Sequence, residues 1–366
     1  VGIRPGATPD TARERSMRRN HRRALATAIL VTVLLPSVPA AAADGRSSAE
    51  SQWTWLVMFE NDLFAGEDEQ YTSGVKFGWI SPDLTRYRDS ENLPEWLLPV
   101  VRHLPLINKP GIERNVEFYF GQKIFTPEDT QATAVVEDER PYAGWLYGGV
   151  GLHNKNDFVL DAFHLQFGWT GPASLAERTQ NFIHRLRNLR TIKGWDNQLD
   201  FEPGVVLYYE RKWRALRAET DAGFGYDVIG HAGAAAGNVY VYGVGGAEFR
   251  LGLNIPRDFG VSLIRPGGDT NAPALPGTTR GLRPLSLYVF SAVSGRAVGR
   301  DLFLDGNTFG ASHRVEKRHL VGDLILGMAV RYRGVKLSYA QVLRSREYKT
   351  QRDPHQFGSL SLSYTF

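Results

Sequence analysis

The sequence predicts an all-β fold, a transmembrane antiparallel β-barrel of about 12 strands with one short helix associated with the lumen. Three observations support this prediction. The last segment alternates strictly, with Leu360, Leu362, Tyr364 and Phe366 on one face and Ser or Thr on the other, and it ends on an aromatic residue. An export signal stands near the N-terminus, and segments with the same period of two recur along the chain, as expected of barrel strands.

The export signal consists of a basic stretch after Met17, an apolar run over residues 24–38 and a small-residue box that ends at Ala43. The apolar run is shorter than the roughly 20 residues that a membrane-spanning helix needs, and the small-residue box follows it where a cleavage site is expected. We therefore expect translation to start at Met17 and cleavage near Ala43. Residues 1–43 are assigned to an upstream extension plus signal peptide, and residues 44–366 to a single outer-membrane β-barrel domain.

The charge of the chain resides largely in that signal. Residues 1–43 contain seven Arg and two acidic residues, a net charge of +5, so the +4 of the whole chain becomes −1 without them. A chain with no surplus of basic residues is a poor nucleic-acid ligand, and we expect no such partner. The absence of Cys excludes a disulfide scaffold and thiolate zinc sites.

Twelve segments with a period of two predict the strands. They cover residues 52–60, 71–81, 114–125, 143–153, 158–169, 203–215, 218–229, 237–252, 284–303, 319–332, 335–345 and 357–366. A barrel with both termini in the periplasm needs an even number of strands. The count of twelve therefore requires the long run 284–303 to be one strand. The long, Pro-rich connections 81–114 and 256–283 are expected to be extracellular, and Arg333 with its following Gly is expected to form a tight turn.

One segment, residues 174–190, does not alternate and predicts a helix of about four turns. Ser174 and Glu177 form a capping-box pattern at its start. Gln180 and His184 are four residues apart and therefore share a face of the helix. We expect the helix to cap the pore or lie inside it. An alternative is that the helix is only a plug, with His184 hydrogen-bonded to the barrel wall.

Polar side chains gather where the first predicted strand ends and the second begins. Asn61 and Asp62 end the first strand, and Thr72 opens the second with its side chain predicted to point into the lumen. All three residues offer hard oxygen donors, which Ca²⁺ prefers. The acidic run at residues 67–69 is interpreted as a solvated loop.

Together with other polar segments, these residues resemble a known family, the lipid A 3′-O-deacylases of the LpxR type. The matching motifs are Glu60-Asn61-Asp62, Tyr71-Thr72-Ser73-Gly74, Gly121-Gln122 with Thr126-Pro127, Arg140-Pro141-Tyr142-Ala143-Gly144-Trp145, Gln180 with His184, and Gly194-Trp195-Asp196-Asn197-Gln198. The resemblance covers essentially the whole mature chain. It implies a twelve-stranded barrel in the outer membrane of a Gram-negative bacterium that hydrolyses the 3′-linked acyl ester of lipid A, and hence a carboxylic ester hydrolase.

The resemblance also implies a set of site residues. His184, Gln180 and Thr72 match catalytic positions, and Asn61, Asp62 and Thr72 match positions around Ca²⁺, in a site between the inner wall and the helix. The implied partner is lipid A, or lipopolysaccharide, in the outer leaflet. In such a site His184 takes a proton from water while Ca²⁺ polarises the ester carbonyl.

The sequence departs from the family pattern at two places. Arg190 stands where an acidic residue follows the helical His by six positions, and Ala132 and Thr133 stand where a basic pair is expected. The first change removes a partner that would orient His184, and the second removes a donor for the oxyanion. Lys76, on the predicted lumen face, and Lys123 are candidate substitutes for that donor.

Two other functions fit the sequence. An outer-membrane phospholipase would be a Ca²⁺-dependent barrel with a Ser nucleophile and a wall-mounted His, for which His164 is the residue in phase with a lumen face. A non-enzymatic barrel, either a pore or a structural protein, would keep the strands and the helix without a convergent site.

Overall fold

The computed structural model describes residues 53–62, 73–82, 112–261, 263–264 and 285–366. The predicted export signal, the acidic run at residues 67–69, Thr72 and most of the two long Pro-rich connections lie outside the described residues. Within the described ranges, no helix is both long enough and apolar enough to cross a membrane.

Twelve antiparallel strands form a closed barrel in which each strand pairs with its neighbours in sequence and β12 pairs with β1. The strands are β1 (Thr54–Asn61), β2 (Ser73–Ile80), β3 (Glu113–Phe125), β4 (Ala143–Lys155), β5 (Val159–Thr170), β6 (Glu202–Glu219), β7 (Phe224–Gly237), β8 (Tyr240–Leu253), β9 (Leu285–Asp301), β10 (Leu320–Tyr332), β11 (Val335–Arg344) and β12 (His355–Thr365). The predicted strand number is confirmed, and the long run near residue 290 is one strand. Two helices accompany the barrel, α1 (Ala176–Leu186) and the short α2 (Leu302–Asp305).

The boundary between β6 and β7 differs from the prediction. The sequence predicted a strand over residues 218–229, whereas β6 continues to Glu219 and β7 begins at Phe224. The intervening turn is closed by Thr220, which donates to the carbonyl of Phe224, and by Gly223 at φ 89°. Alternation of polar and apolar residues continues through this turn, so the pattern alone did not locate it.

The two long connections leave the barrel at a different end from the one predicted. In a barrel that runs up and down in sequence order, the connections from β2 to β3 and from β8 to β9 lie at the end that carries both termini. The prediction that they are extracellular, opposite the termini, was therefore wrong. Length and Pro content describe a loop but carry no information about the side of the barrel.

Side chains alternate between a polar interior and an apolar exterior. On β12, Ser359 and Ser361 are buried inside, whereas Tyr364 lies outside and is exposed. The ring of Phe366 meets Trp55 of β1 edge-on, with centroids 5.7 Å apart. This inside-out arrangement is the one expected where only the outer face contacts lipid.

The lumen is filled by side chains and by two segments that fold into it. At the end opposite the termini, Phe303 of α2 stacks on Phe125 with ring centroids 4.4 Å apart. From the end that carries the termini, the segment after β8 brings Leu263 and Ile264 into the same apolar cluster, and the Ile264 amide donates to Glu60 at 2.6 Å. Within the described residues the interior is therefore a packed core.

The inserted segment is fixed by a buried carboxylate. Asp258 accepts a hydrogen bond from Lys336 Nζ at 2.6 Å and contacts Arg250, which also forms a bidentate pair with Asp227. All of these groups are at most 8 % exposed. The charges of the lumen thus hold the segment between β8 and β11.

Asp258→Asn is expected to destabilise the barrel by about 3–5 kcal/mol, because it leaves two buried cations short of negative charge. The thermal midpoint, followed by circular dichroism in detergent, should fall. Asp353→Asn changes an exposed Asp in the connection from β11 to β12 and should leave the midpoint unchanged. Equal midpoints for both variants would show that Asp258 does not hold the segment.

Candidate functional site

Helix α1 lies against the outer face of the barrel. On β3, Phe120 points outward and is 47 % exposed, and Gln122 and Ile124 share its face yet are buried. They are buried because the chain around α1 covers them: Gln122 Nε2 donates to the Ser174 carbonyl at 2.6 Å, and Ile124 packs with Ala176. The prediction that the helix is associated with the lumen, and its site with the inner wall, was therefore wrong.

Gly144 on β4 permits this close approach. It pairs with Ile124 and points outward, and a Cβ atom there would overlap Ser174 Oγ and Ala176 Cβ. The helix can therefore pack directly on the backbone of the wall. The glycine is part of the family-like motif in the sequence, but the motif does not reveal on which side of the wall the helix lies.

The start of the helix also differs from the prediction. Ser174 lies in a 3-10 turn and its hydroxyl donates to the Gly171 carbonyl at 2.6 Å, so it forms no capping box with Glu177. The helix begins after Leu175, which adopts a left-handed conformation with φ 60°. It has 11 residues, about three turns instead of four.

Three residues spaced by four form the wall-facing side of α1. Ala176, Gln180 and His184 are buried, whereas Phe182 and Leu186 are 60 % and 74 % exposed on the other sides. The predicted shared face of Gln180 and His184 is confirmed. The site therefore lies between the helix and the outer wall.

Gln180 is oriented by a neighbouring indole. Trp195 Nε1 donates to Gln180 Oε1 at 3.1 Å, and because an indole only donates, the other amide atom of Gln180 is its NH₂ group. Among the described residues this NH₂ group has no hydrogen-bond partner, although it is buried. Sequence reasoning matched Gln180 to the family pattern but did not assign Trp195 the role of positioning it.

His184 is oriented by a backbone carbonyl. Its Nδ1 lies 2.7 Å from the carbonyl oxygen of Arg190. A carbonyl only accepts, so Nδ1 carries the proton and Nε2 carries the lone pair in the neutral ring. Position 190, where the family pattern has an acidic side chain, thus supplies an acceptor from its main chain.

Asn61 lies at the same rim and on the outward side of the wall, and Asp62 follows it directly in the chain. Asn61 pairs with Ser73, Ser73 with Ile124, and Ile124 with Gly144, so this row of outward positions runs from β1 to the strands that carry α1. Asn61 is 5 % and Asp62 0 % exposed. The third predicted ligand, Thr72, is outside the described residues.

The connection between β3 and β4 packs beside the chain that follows α1. Lys193 N donates to the Thr130 carbonyl at 3.2 Å, and Asn197 Nδ2 donates to the Thr133 carbonyl at 2.9 Å. Tyr142, at the end of this connection, packs on Trp195, and burial, aided by the negative charge of Asp129, raises the pKa of the Tyr142 hydroxyl to about 12. Ala132 and Thr133 thus lie in a connection that packs beside the site, and their side chains carry no positive charge.

The two lysines considered as substitutes for that cation are on the opposite side of the wall. Lys76 Nζ lies inside the barrel, 3.0 Å from Glu117. Lys123 lines a small lumen cavity with Glu60 and Tyr240. The expectation that either residue takes part beside His184 was wrong, because the backbone of the sheet separates them from it.

Comparison with known proteins identifies the family. A sequence model described as outer membrane protein LpxR matches residues 25–366. The chain belongs to the LpxR family. The structure is similar to LpxR from Salmonella typhimurium, with TM-score 0.67, 18% identity, and coverage of 86% of this chain and 100% of that one, which supports the fold. The beta domain of the Bordetella autotransporter BrkA covers 87% of this chain and 100% of its own at 9% identity and TM-score 0.43. Comparison with curated proteins gave no match.

Membership of the LpxR family and the twelve-stranded barrel place the protein in the outer membrane of a Gram-negative bacterium. Barrels of this kind turn their termini toward the periplasm. The end of the barrel with α1 therefore faces the outside of the cell. His184 and Gln180 lie at the extracellular rim, on the side of the wall that borders the outer leaflet.

Proposed function

We propose that this LpxR-family protein is a carboxylic ester hydrolase that removes the 3′-linked acyl, or acyloxyacyl, group of lipid A. The observation that carries the proposal is the buried pair of His184 and Gln180 between α1 and the outer wall, with His184 Nδ1 held by the Arg190 carbonyl. Such a pair provides a base and a hydrogen-bond donor next to each other. Both lie between the helix and the outer face of the wall, the side of the barrel that borders the membrane.

The exposed sides of α1 suit an anionic glycolipid. Phe182 and Leu186 offer exposed apolar surface, and Arg178, Arg185 and Arg190 are exposed nearby. Guanidinium groups bind phosphate through paired hydrogen bonds. Lipid A combines acyl chains with phosphorylated sugars, so both kinds of surface have a counterpart in lipid A or in intact lipopolysaccharide.

His184 acts as the general base in this proposal. With the proton on Nδ1, its Nε2 takes a proton from the attacking water as the new C–O bond forms. The same nitrogen then returns the proton to the sugar oxygen as the ester bond breaks. The Arg190 carbonyl accepts from Nδ1 throughout and stabilises the imidazolium that forms between the two steps.

Gln180 supplies a donor for the oxyanion. Its Nε2 is buried, carries protons that no described residue accepts, and belongs to an amide fixed by Trp195. A preorganised donor of this kind is worth most where charge develops in a water-poor site. Gln180 thereby takes the role of oxyanion donor that the family pattern gives to a basic pair at the positions of Ala132 and Thr133.

Ca²⁺ is the proposed metal, and the donor set at the rim fits it. Asn61 and Asp62 offer an amide oxygen and a carboxylate, both buried, and Thr72 follows in sequence as the third proposed ligand. Oxygen donors with a carboxylate among them favour Ca²⁺ over softer metals. When bound, the ion would polarise the ester carbonyl.

Mass spectrometry of lipid A from a Gram-negative host tests the proposal. Cells that express the chain should lose the mass of the 3′-acyl or acyloxyacyl group, and the purified protein should release the same acid from lipid A with Ca²⁺ and not with a chelator. Unchanged lipid A, with the barrel folded in the outer membrane, would contradict it.

Neither alternative function is favoured by the geometry. His164, the residue that suggested a phospholipase, is 3 % exposed inside the barrel, where it lies against Glu117, His153, Tyr119 and Tyr208. No serine among the described residues forms a hydrogen bond with it. A pore would need an open lumen, and the described interior is packed.

A further inference from the structure

A second group of metal-ligating side chains lies inside the barrel, away from the site on the outer wall. Glu117 of β3, His153 of β4 and His164 of β5 all point into the lumen and are 0 %, 0 % and 3 % exposed. The proposed function uses none of them. They lie on three adjacent strands, so a ligand shared by them would join these strands on the inside.

The separations among these groups suit a common cation. Glu117 Oε2 is 3.4 Å from His153 Nε2 and 3.9 Å from His164 Nδ1, and the Nε2 atoms of the two rings are 3.3 Å apart. One donor from each residue falls within 4.8 Å of the others. In a tetrahedral zinc site with bonds of about 2.0–2.1 Å, neighbouring donors are about 3.3 Å apart. An ion binds one nitrogen of each ring, so the three donors, now within 4.8 Å of one another, must move closer together to share one ion.

A glycine on β4, Gly151, leaves room for the cluster. Gly151 pairs with Glu117 on one side and with His164 on the other. A Cβ atom at Gly151 would lie 2.7 Å from His164 Cε1 and 3.2 Å from Glu117 Oε2. A side chain at this position would separate the carboxylate from the imidazole, so the glycine allows them to approach across β4.

Hydrogen bonding within the protein does not satisfy the cluster. Lys76 Nζ pairs with Glu117 Oε1 at 3.0 Å, which leaves Oε2 facing the two rings. Within the described part of the chain, the buried His164 Nδ1, 3.9 Å from Glu117 Oε2, has no hydrogen-bond partner. Two neutral rings that meet nitrogen to nitrogen can share only one proton, whereas a cation accepts a lone pair from each ring.

We propose that Glu117, His153 and His164 form a binding site for a late first-row divalent cation, with Zn²⁺ as the expected ion. Two imidazoles and one carboxylate suit Zn²⁺ and Co²⁺, whereas Ca²⁺ prefers an all-oxygen set. The site is buried in the lumen, so its role is to link β3, β4 and β5. It is chemically and spatially distinct from the oxygen donors at Asn61 and Asp62.

Metal content of the full chain, purified from outer membranes in detergent, tests the site. After removal of loose metal the protein should hold about one Zn²⁺ per chain, or take up one Co²⁺ on refolding with the visible absorption of tetrahedral Co²⁺. Combined His153→Ala and His164→Ala should weaken binding by well over tenfold, since loss of even an outer partner of a ligand costs roughly 10–100-fold. His231→Ala, which changes another lumen histidine paired with Glu210 at 2.9 Å, should bind as the wild type does.

Three outcomes would overturn the proposal. One is a wild-type protein that holds neither Zn²⁺ nor Co²⁺. A second is equal binding by the wild type and the double variant, and a third is equal loss in the His231→Ala control. If the double variant fails to fold, Glu117→Gln, which keeps the shape of the side chain, replaces it, and the wild-type measurement alone still decides.

Discussion

His184→Ala is expected to lower the rate of ester hydrolysis by roughly 10²–10⁴-fold, the usual contribution of a positioned general base. The substitution removes Nε2, which takes the proton from water, and leaves the barrel wall untouched. The KM for lipid A should change little, because the apolar and basic surfaces of α1 remain. Rates of acid release from lipid A in detergent, at saturating Ca²⁺, measure the effect.

The matched control for this change is His313→Ala. His313 lies in the connection from β9 to β10, at the same end of the barrel, where its Nε2 contacts the Glu139 carbonyl at 2.8 Å. Its loss should leave the rate within about twofold of the wild type, as expected for a residue outside the chemistry. A His184→Ala protein that is folded and as active as this control would refute the role of His184 as base.

Asp62→Asn is expected to raise the Ca²⁺ concentration needed for half-maximal activity by about tenfold or more. The change keeps the shape of the side chain but removes its charge, and the charge of the ligands tunes Ca²⁺ affinity. A tenfold change corresponds to about 1.4 kcal/mol of binding free energy. Activity should recover at high Ca²⁺, which distinguishes weaker metal binding from loss of a catalytic group.

Asp196→Asn provides the control for the Asp62 variant. Asp196 is exposed in the 3-10 turn that follows α1, so this change removes one negative charge from the same rim without touching Asn61 or Asp62. Its Ca²⁺ dependence should match the wild type. If both variants shift equally, a general electrostatic effect at the rim explains the result, and Asp62 is not a ligand.

The strands could be predicted from the sequence because a barrel wall imposes one simple rule on every strand. Outward residues such as Phe120 meet lipid and inward residues such as Glu117 meet a polar interior, so a period of two extends over the whole chain. The same rule gave the inward position of Lys76. It failed at the turn before Phe224, where alternation continues across a change of strand.

The side of the wall on which α1 lies could not be predicted in this way. The helix has one buried face and several exposed ones, a pattern that is the same for packing inside or outside a barrel. Gln122 and Gly144 show that α1 lies outside the barrel, because they are outward positions that the chain around α1 covers. The Arg190 carbonyl was equally hidden from the sequence, since every residue has a carbonyl and only the fold shows where it points.

The packed interior has a consequence for the cell that carries this protein. A barrel that is open from end to end forms a water-filled channel through the membrane. Here Phe303 and Ile264, on segments that enter from opposite ends, meet in one apolar cluster that fills the interior. Solutes therefore find no open path through the described part of the barrel.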